Sequence, residues 1–85
     1  MATFTILYFA SANTFTKKKD EKFPAPLQLS KLYDTLEETY PGIKEKVLSS
    51  SALTINLEYA DLEDDANLVI KAGDEVAIIP PVSSG

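Results

Sequence analysis

The sequence predicts a two-layer α+β domain, in which a mixed sheet of about five strands packs on one principal helix. Two segments rich in β-branched and aromatic residues stand near the ends of the chain, at residues 3–10 and 75–79. Between them, residues 29–40 place leucine at helical spacing. The chain has 85 residues, 45% of them apolar, which suffices for one core and one domain.

The first half of the sheet is predicted from a strand at residues 3–10 and a short antiparallel return at residues 21–25. The first strand is apolar on both faces, with Phe4, Ile6 and Tyr8 on one face and Leu7 and Phe9 on the other. Polar residues 11–20 predict a loop whose lysine run, 17–19, forms a mobile tip. Two prolines keep the return strand at a sheet edge.

The principal helix is predicted at residues 29–40. One helical face is apolar and carries Leu29, Leu32, Leu36 and Tyr40. Ser30 is a suitable N-cap residue. Pro41 disfavours helical geometry in the residue before it and Gly42 permits a turn, so the helix ends there. Residues 43–48 are expected to add a short helical turn.

The second half of the sheet is predicted from strands at residues 52–57 and 75–79. The acidic connection 58–65 has room for a short strand at residues 59–62, and residues 71–74 form a turn signal before the last strand. This order of elements suits the β-grasp arrangement, in which the first and last strands lie side by side in the centre of the sheet.

Composition excludes several classes of function. The chain has no Cys and no His, and all eight of its basic residues are lysines, so neither a thiol nucleophile nor a histidine-based catalytic triad is available. No metal site is expected. The net charge of −5 argues against a nucleic-acid partner and favours a protein partner with a basic surface. No stretch has the length and composition of a membrane span or a signal peptide, so a cytosolic protein is expected.

The carboxyl terminus is the first candidate site. Pro80 and Pro81 cannot donate to a sheet, so the domain is predicted at residues 1–81 and an extended tail at residues 82–85. Gly85 has no Cβ beside its carboxylate, which leaves that group open to attack. From the residues alone, an ordinary frayed terminus remains an alternative.

The sheet face opposite the helix is the second candidate site, because one helix covers only one face of a sheet. An apolar patch for a partner is predicted there from Leu7, Phe9, Ala77 and Ile79. Ordinary core packing is the alternative. Residues 61–65 lack the glycine and distal glutamate of a calcium loop and are predicted to form a solvated acidic turn.

Residues 73–81, GDEVAIIPP, followed by Val82 and Ser83, strongly resemble the carboxyl-terminal signature of the molybdopterin synthase small subunits. Weaker similarity to the same family extends over nearly the whole chain, at residues 7–10, 40–43 and 56–59. The resemblance implies a ubiquitin-like β-grasp fold and a sulfur carrier that is not a catalyst by itself.

The resemblance also implies a chemistry for Gly85. An activating enzyme uses ATP and magnesium to adenylate its carboxylate, and sulfur then replaces the adenylate to give a thiocarboxylate. The tail enters the large synthase subunit, in an expected heterotetramer of two small and two large subunits. There it donates sulfur to cyclic pyranopterin monophosphate, forming the dithiolene of molybdopterin. The threading residues implied are Pro80, Pro81, Val82, Ser83 and Ser84.

Ser84 departs from the family, whose chains usually end in Gly-Gly. Serine restricts φ where glycine is free, which bears on passage through a narrow partner channel. Two alternatives stay open. One, on the same fold, is a sulfur carrier for thiamine synthesis or tRNA thiolation. The other, which Ser84 supports, is a ubiquitin-like binding module that is never activated.

Overall fold

A computed structural model describes residues 2–81. In that part of the chain, the strands are β1 (Thr3–Tyr8), β2 (Asp20–Pro24), β3 (Leu27–Gln28), β4 (Ala52–Ile55), β5 (Glu58–Ala60), β6 (Val69–Ile70) and β7 (Glu75–Ile79). The α-helices are α1 (Ala10–Thr16), α2 (Leu32–Thr39) and α3 (Ile43–Lys46). No helix in the described residues is long and apolar enough to cross a bilayer.

The main sheet has five strands in the order β2-β1-β7-β4-β5. Its two central strands, β1 and β7, run parallel, with Ile6 opposite Val76, and every other pairing in the sheet is antiparallel. The predicted mixed sheet and the central position of the first and last strands are therefore confirmed. Because β1 and β7 are parallel, the chain leaves β7 at the same end of the sheet at which β1 finishes.

The core lies between the sheet and α2. Burial alternates along β1, with Phe4, Ile6 and Tyr8 buried and the residues between them partly exposed. From the helical side, Leu32 and Leu36 are fully buried. A fully buried side chain of this size contributes about 1.5–3 kcal/mol relative to an exposed one, so this alternation fixes which face of the sheet meets the helix.

The principal helix begins differently from the prediction. Residues Leu29–Lys31 form a 3-10 turn, and α2 follows it. Ser30 is therefore not the N-cap; Lys31 takes that position, without a side-chain cap. Buried Leu29 anchors this start instead, since its N–H donates to the carbonyl of Leu68 at 2.8 Å. The predicted end is confirmed, with Gly42 at a φ of 95°.

The loop predicted at residues 11–20 is wrong, because most of it is α1. Its serine, asparagine and threonine residues are weak helix formers, so local propensity gives no signal. The helix forms because Ala12 and Thr16 are buried against the core, and Thr16 Oγ1 donates back to the carbonyl of Ala12 at 3.0 Å. It ends at Lys17, whose φ is 62°.

The remaining differences concern short strands. The predicted strand at 52–57 ends at Ile55, and the one at 59–62 lies at Glu58–Ala60. The two-residue strands β3 and β6 pair in a small second sheet that the sequence did not reveal. The turn at residues 71–74 is confirmed, with Gly73 at a φ of 86°.

Candidate docking face and carboxyl-terminal exit

The described chain ends where β7 leaves the sheet. Phe9 N–H donates to the carbonyl of Ile78 at 3.2 Å, Pro80 is buried, and Pro81 is exposed. The chain therefore reaches the surface at Pro81, beside the end of β1. Four predicted tail residues, including the carboxylate-bearing glycine, lie outside the described residues: Val82, Ser83, Ser84 and Gly85. Their threading and reactive roles stay predictions.

The four residues predicted for a partner patch lie together on the sheet face that turns away from the helix. Leu7 is paired with Ala77 across the two central strands, and Phe9 and Ile79 continue the same rows toward the exit. All four line one shallow pocket. Phe9 is 47% exposed, whereas Ala77 is only 7% exposed and lines the same pocket.

The sequence did not predict two further apolar residues of this pocket, Leu57 and Tyr59. Their side chains are 87% and 80% exposed, the largest exposures among the large apolar residues described. Leu57 was assigned to a strand, so its position in a turn gave no signal. We call the six residues of this apolar surface the docking face: Leu7, Phe9, Leu57, Tyr59, Ala77 and Ile79.

Asn56 fixes the turn between β4 and β5 to the start of β7. Its N–H donates to the carbonyl of Glu75 at 2.7 Å, and its side-chain oxygen accepts from Glu75 N–H at 2.9 Å. Its amide group donates to Asp74 Oδ1 at 3.1 Å. The N–H of Lys71, and then this amide, hold the pKa of Asp74 below its ordinary value. Three hydrogen bonds therefore hold the turn against residues 74 and 75, at the start of β7.

A cluster around Glu21 lies beneath the exit end of the sheet. Its Oε1 accepts from the hydroxyls of Tyr8 at 3.0 Å and Tyr40 at 2.6 Å, and its Oε2 pairs with Lys18 Nζ at 3.2 Å. Burial opposes the ionisation of Glu21, but bonds from Tyr40, Lys18 and Tyr8 together hold its pKa below the ordinary value. Burial and then Glu21 raise the pKa of Tyr8. The cluster joins β1, β2 and the end of α2.

Two charged segments have local structural roles. In the lysine run, Lys18 pairs with Glu21, and the carbonyl of Lys19 accepts from Tyr8 N–H at 2.8 Å. In the acidic segment, Asp61 Oδ1 accepts from the N–H of Glu63 at 2.7 Å, and Asp65 Oδ2 accepts from Asp61 N–H at 2.9 Å. These carboxylates thus accept hydrogen bonds from backbone N–H groups of their own segment, in keeping with the predicted acidic turn.

Comparison with known sequences finds a match to the ThiS family model over residues 6–85. The molybdopterin synthase sulfur carrier subunit of Aspergillus niger is 60% identical over 83 residues, covering 98% of this chain and 94% of that protein. The human protein of the same name is 33% identical over 82 residues, covering 94% and 91%.

Comparison with solved structures concerns the fold. SAMP1 from Haloferax volcanii superposes with a TM-score of 0.78 at 21% identity, covering 98% of this chain and 99% of that one. A chain from the complex of subunits 1 and 2 of molybdopterin-converting factor from Helicobacter pylori gives a TM-score of 0.68 at 24% identity, covering 98% and 99%. The fold is the ubiquitin-like β-grasp, as predicted.

Proposed function

The chain belongs to the ThiS family and, within it, to the molybdopterin synthase sulfur carrier subunits, and from this premise we propose that Gly85 carries the sulfur that builds the molybdopterin dithiolene. One structural observation supports this assignment most directly. The chain reaches the surface at Pro81, beside the exposed apolar docking face. A partner seated on that face is therefore next to Pro81, the last described residue before the tail.

Activation makes the terminal carboxylate reactive. A carboxylate oxygen of Gly85 attacks the α-phosphorus of ATP on the activating enzyme, with magnesium present, and pyrophosphate leaves. A sulfur donor at the oxidation level of hydrosulfide then attacks the acyl carbon, the bond from that carbon to AMP breaks, and AMP and a proton leave. A bare carboxylate would not react in this way because it has no comparable leaving group. The product is a thiocarboxylate. The absence of a Cβ at Gly85 keeps the approach to the acyl carbon open.

Transfer takes place in the large synthase subunit. We propose that this subunit packs on the docking face, while Pro80 and Pro81 direct residues 82–85 into its active site. There the thiocarboxylate donates sulfur to cyclic pyranopterin monophosphate. The dithiolene needs two sulfurs, so two loaded carriers are used for each product. The assembly proposed is a heterotetramer of two small and two large subunits, working in the cytosol as a sulfurtransferase.

The division of labour follows from the composition. The carrier has no His and no Cys, so it brings no general base of ordinary neutral pKa and no thiol to the reaction. The acid–base groups therefore belong to the activating enzyme and to the large subunit. The carrier supplies the acyl group, the geometry of the exit and the surface that selects the partner.

The test is intact-mass measurement after incubation with the activating enzyme, ATP, magnesium and a sulfur donor. The expected result is a gain equal to the difference between one sulfur and one oxygen atom. Deletion of Gly85 should abolish the gain and leave the melting temperature unchanged, because terminal residues add little stability. Loss of the fold on deletion would contradict the tail role.

Ser84 supports a second candidate, a binding module that is never activated, because the usual glycine is replaced. The variant Ser84→Gly separates the two. A mass gain in both forms supports the carrier. A gain in Ser84→Gly alone identifies a chain impaired by the serine. No gain in either form, with normal binding to the large subunit, identifies the docking module. Transfer to a thiamine precursor or to tRNA, and not to the pterin, would assign the other sulfur pathway.

A further inference from the structure

The turn between β4 and β5 holds two consecutive residues in the left-handed region. It is a two-residue loop with Ile55 opposite Glu58, and the φ values of Asn56 and Leu57 are 51° and 72°. Such turns strongly favour Asn-Gly, because both central residues need positive φ. Asn56 meets this preference, whereas Leu57 occupies the position at which glycine is expected.

Leu57 is unusual among the non-glycine residues with positive φ. The other three in the described chain are Ala10, Lys17 and Asn56. Alanine is small, Lys17 closes α1, and asparagine tolerates this backbone region. Leu57 alone combines the strained backbone with a large apolar side chain that is 87% exposed. Neither folding nor solubility favours leucine there, and strain of this kind is characteristic of ligand clamps and switch regions.

The turn is rigid, which suits a residue that must be presented to a partner. Asn56 bonds to Glu75 through its backbone and its side-chain oxygen, and to Asp74 through its amide. Leu57 is therefore held in place at the edge of the docking face, where it lines the same pocket as Phe9. An apolar side chain fixed in advance loses little conformational freedom on binding, so more of its burial appears as affinity.

The charges at this edge indicate the chemistry of the surface that receives Leu57. Glu75 lines the same pocket as Leu57. Glu58 and Asp74 lie beside the turn and line a neighbouring pocket, to which Lys71 contributes the opposite charge. The edge is therefore acidic around an apolar centre. A complementary partner surface has an apolar socket rimmed by lysine or arginine side chains.

We propose that Leu57 is the anchor that holds the docking face to the large synthase subunit, inserted into an apolar socket with a basic rim. This inference rests on the proposed function. The leucine is kept at a glycine position because it binds the partner, at the expense of the stability of the turn. Stability and affinity should therefore change in opposite directions when Leu57 is replaced.

The test compares Leu57→Gly, Leu57→Asn and Leu57→Met in full-length chain. Glycine and asparagine accept positive φ, so both should raise the melting temperature, by roughly 2–6 °C for glycine. Both should weaken binding to the purified large subunit by about tenfold or more, measured by calorimetry, as expected for an anchor residue. Leu57→Met keeps an apolar side chain and the strain, so its melting temperature should not rise and its affinity should fall much less than that of Leu57→Gly.

Controls make each outcome decisive. Leu68→Ala removes an exposed leucine outside the docking face and should leave affinity unchanged. Glu75→Gln should weaken binding if the rim is basic, and tighter binding would overturn that part. Unchanged affinity in Leu57→Gly, or a lower melting temperature, overturns the anchor role alone. If the native chain does not bind the large subunit at all, the proposed function fails together with the inference.

Discussion

At the scale of single residues, Glu21 joins more of the fold than any other polar side chain described. Its carboxylate accepts from two tyrosine hydroxyls and one lysine, on three different segments. The rings of Tyr8 and Tyr40 also meet edge to face, with centroids 6.2 Å apart. Because hydrogen bonds to a charged acceptor are stronger than neutral ones, this cluster fixes the end of α2 against the sheet.

We predict that Glu21→Gln lowers the stability of the fold by an amount that depends on pH. The native pKa of Glu21 lies below its ordinary value of 4.5, so its stabilising effect is fully present above that value. The effect is lost as the pH falls through the lower native pKa. We expect Glu21→Gln to lose about 1 kcal/mol of unfolding free energy at pH 7 and progressively less in acid. Urea denaturation of both chains, from pH 7 down into acid, measures the difference in unfolding free energy.

Tyr40→Phe is the matched control, because it removes one donor and leaves the carboxylate. It should destabilise the chain and raise the pKa of Glu21, which moves the acid transition to higher pH. An unfolding free energy for Glu21→Gln that parallels that of the native chain at every pH would show that the carboxylate charge contributes nothing.

At the scale of elements, α1 shows how packing overrides local preference. Its seven residues, ASANTFT, include no strong helix former other than alanine, and no acidic residue in its first turn. It forms because the chain must turn from β1 into β2, and Ala12 is fully buried in the core. The Phe15 ring lies beside Gly42, just after the end of the principal helix, so α1 also packs near the end of α2.

The prediction at this scale uses the small size of Ala12. Ala12→Leu should cost about 1–3 kcal/mol of unfolding free energy, because a fully buried site has no room for a larger side chain. Ser11→Leu, on the exposed side of the same helix, should be nearly neutral. Equilibrium denaturation of both variants is the measurement, and equal stabilities would mean that this segment is not packed as described.

At the scale of the whole molecule, charge is distributed unevenly around the docking face. The chain carries a net charge of −5. The lysines at 17–19 and 22 adjoin the β2 edge of the sheet, whereas the four acidic residues of segment 61–65 follow β5 at the opposite edge. A partner with basic groups is therefore attracted by the overall field and turned toward the β5 side.

The prediction at this scale is that association with the large subunit slows as salt is added. The screening length falls from about 10 Å at 0.1 M salt to about 3 Å at 1 M, so long-range attraction is lost. The association rate constant, measured by stopped flow, should fall by about tenfold or more over this range. Phe9→Ser removes apolar contact only, so it should speed dissociation and leave the salt dependence unchanged. A salt-independent rate would contradict the steering role.

Much of this architecture was predictable because its signals are local. Alternation along β1 placed Leu7 and Phe9 on one face, and the same rule placed Ala77 and Ile79 on β7. Pro41, Gly42 and Gly73 marked turns that the structure confirms. The N-cap at Ser30 was wrong because a buried leucine and a distant carbonyl, and not a capping side chain, begin the helix.

By itself, the sequence determined the existence of the five main-sheet strands, the principal helix, the apolar side of the sheet and the family, because each depends on residue type at short spacing. Only the tertiary structure decided that α1 is a helix, that Glu21 gathers Tyr8, Tyr40 and Lys18, and that Leu57 projects from a strained turn. These features depend on contacts between residues far apart in the chain. Their free energy exceeds the weak local preferences that a sequence pattern records.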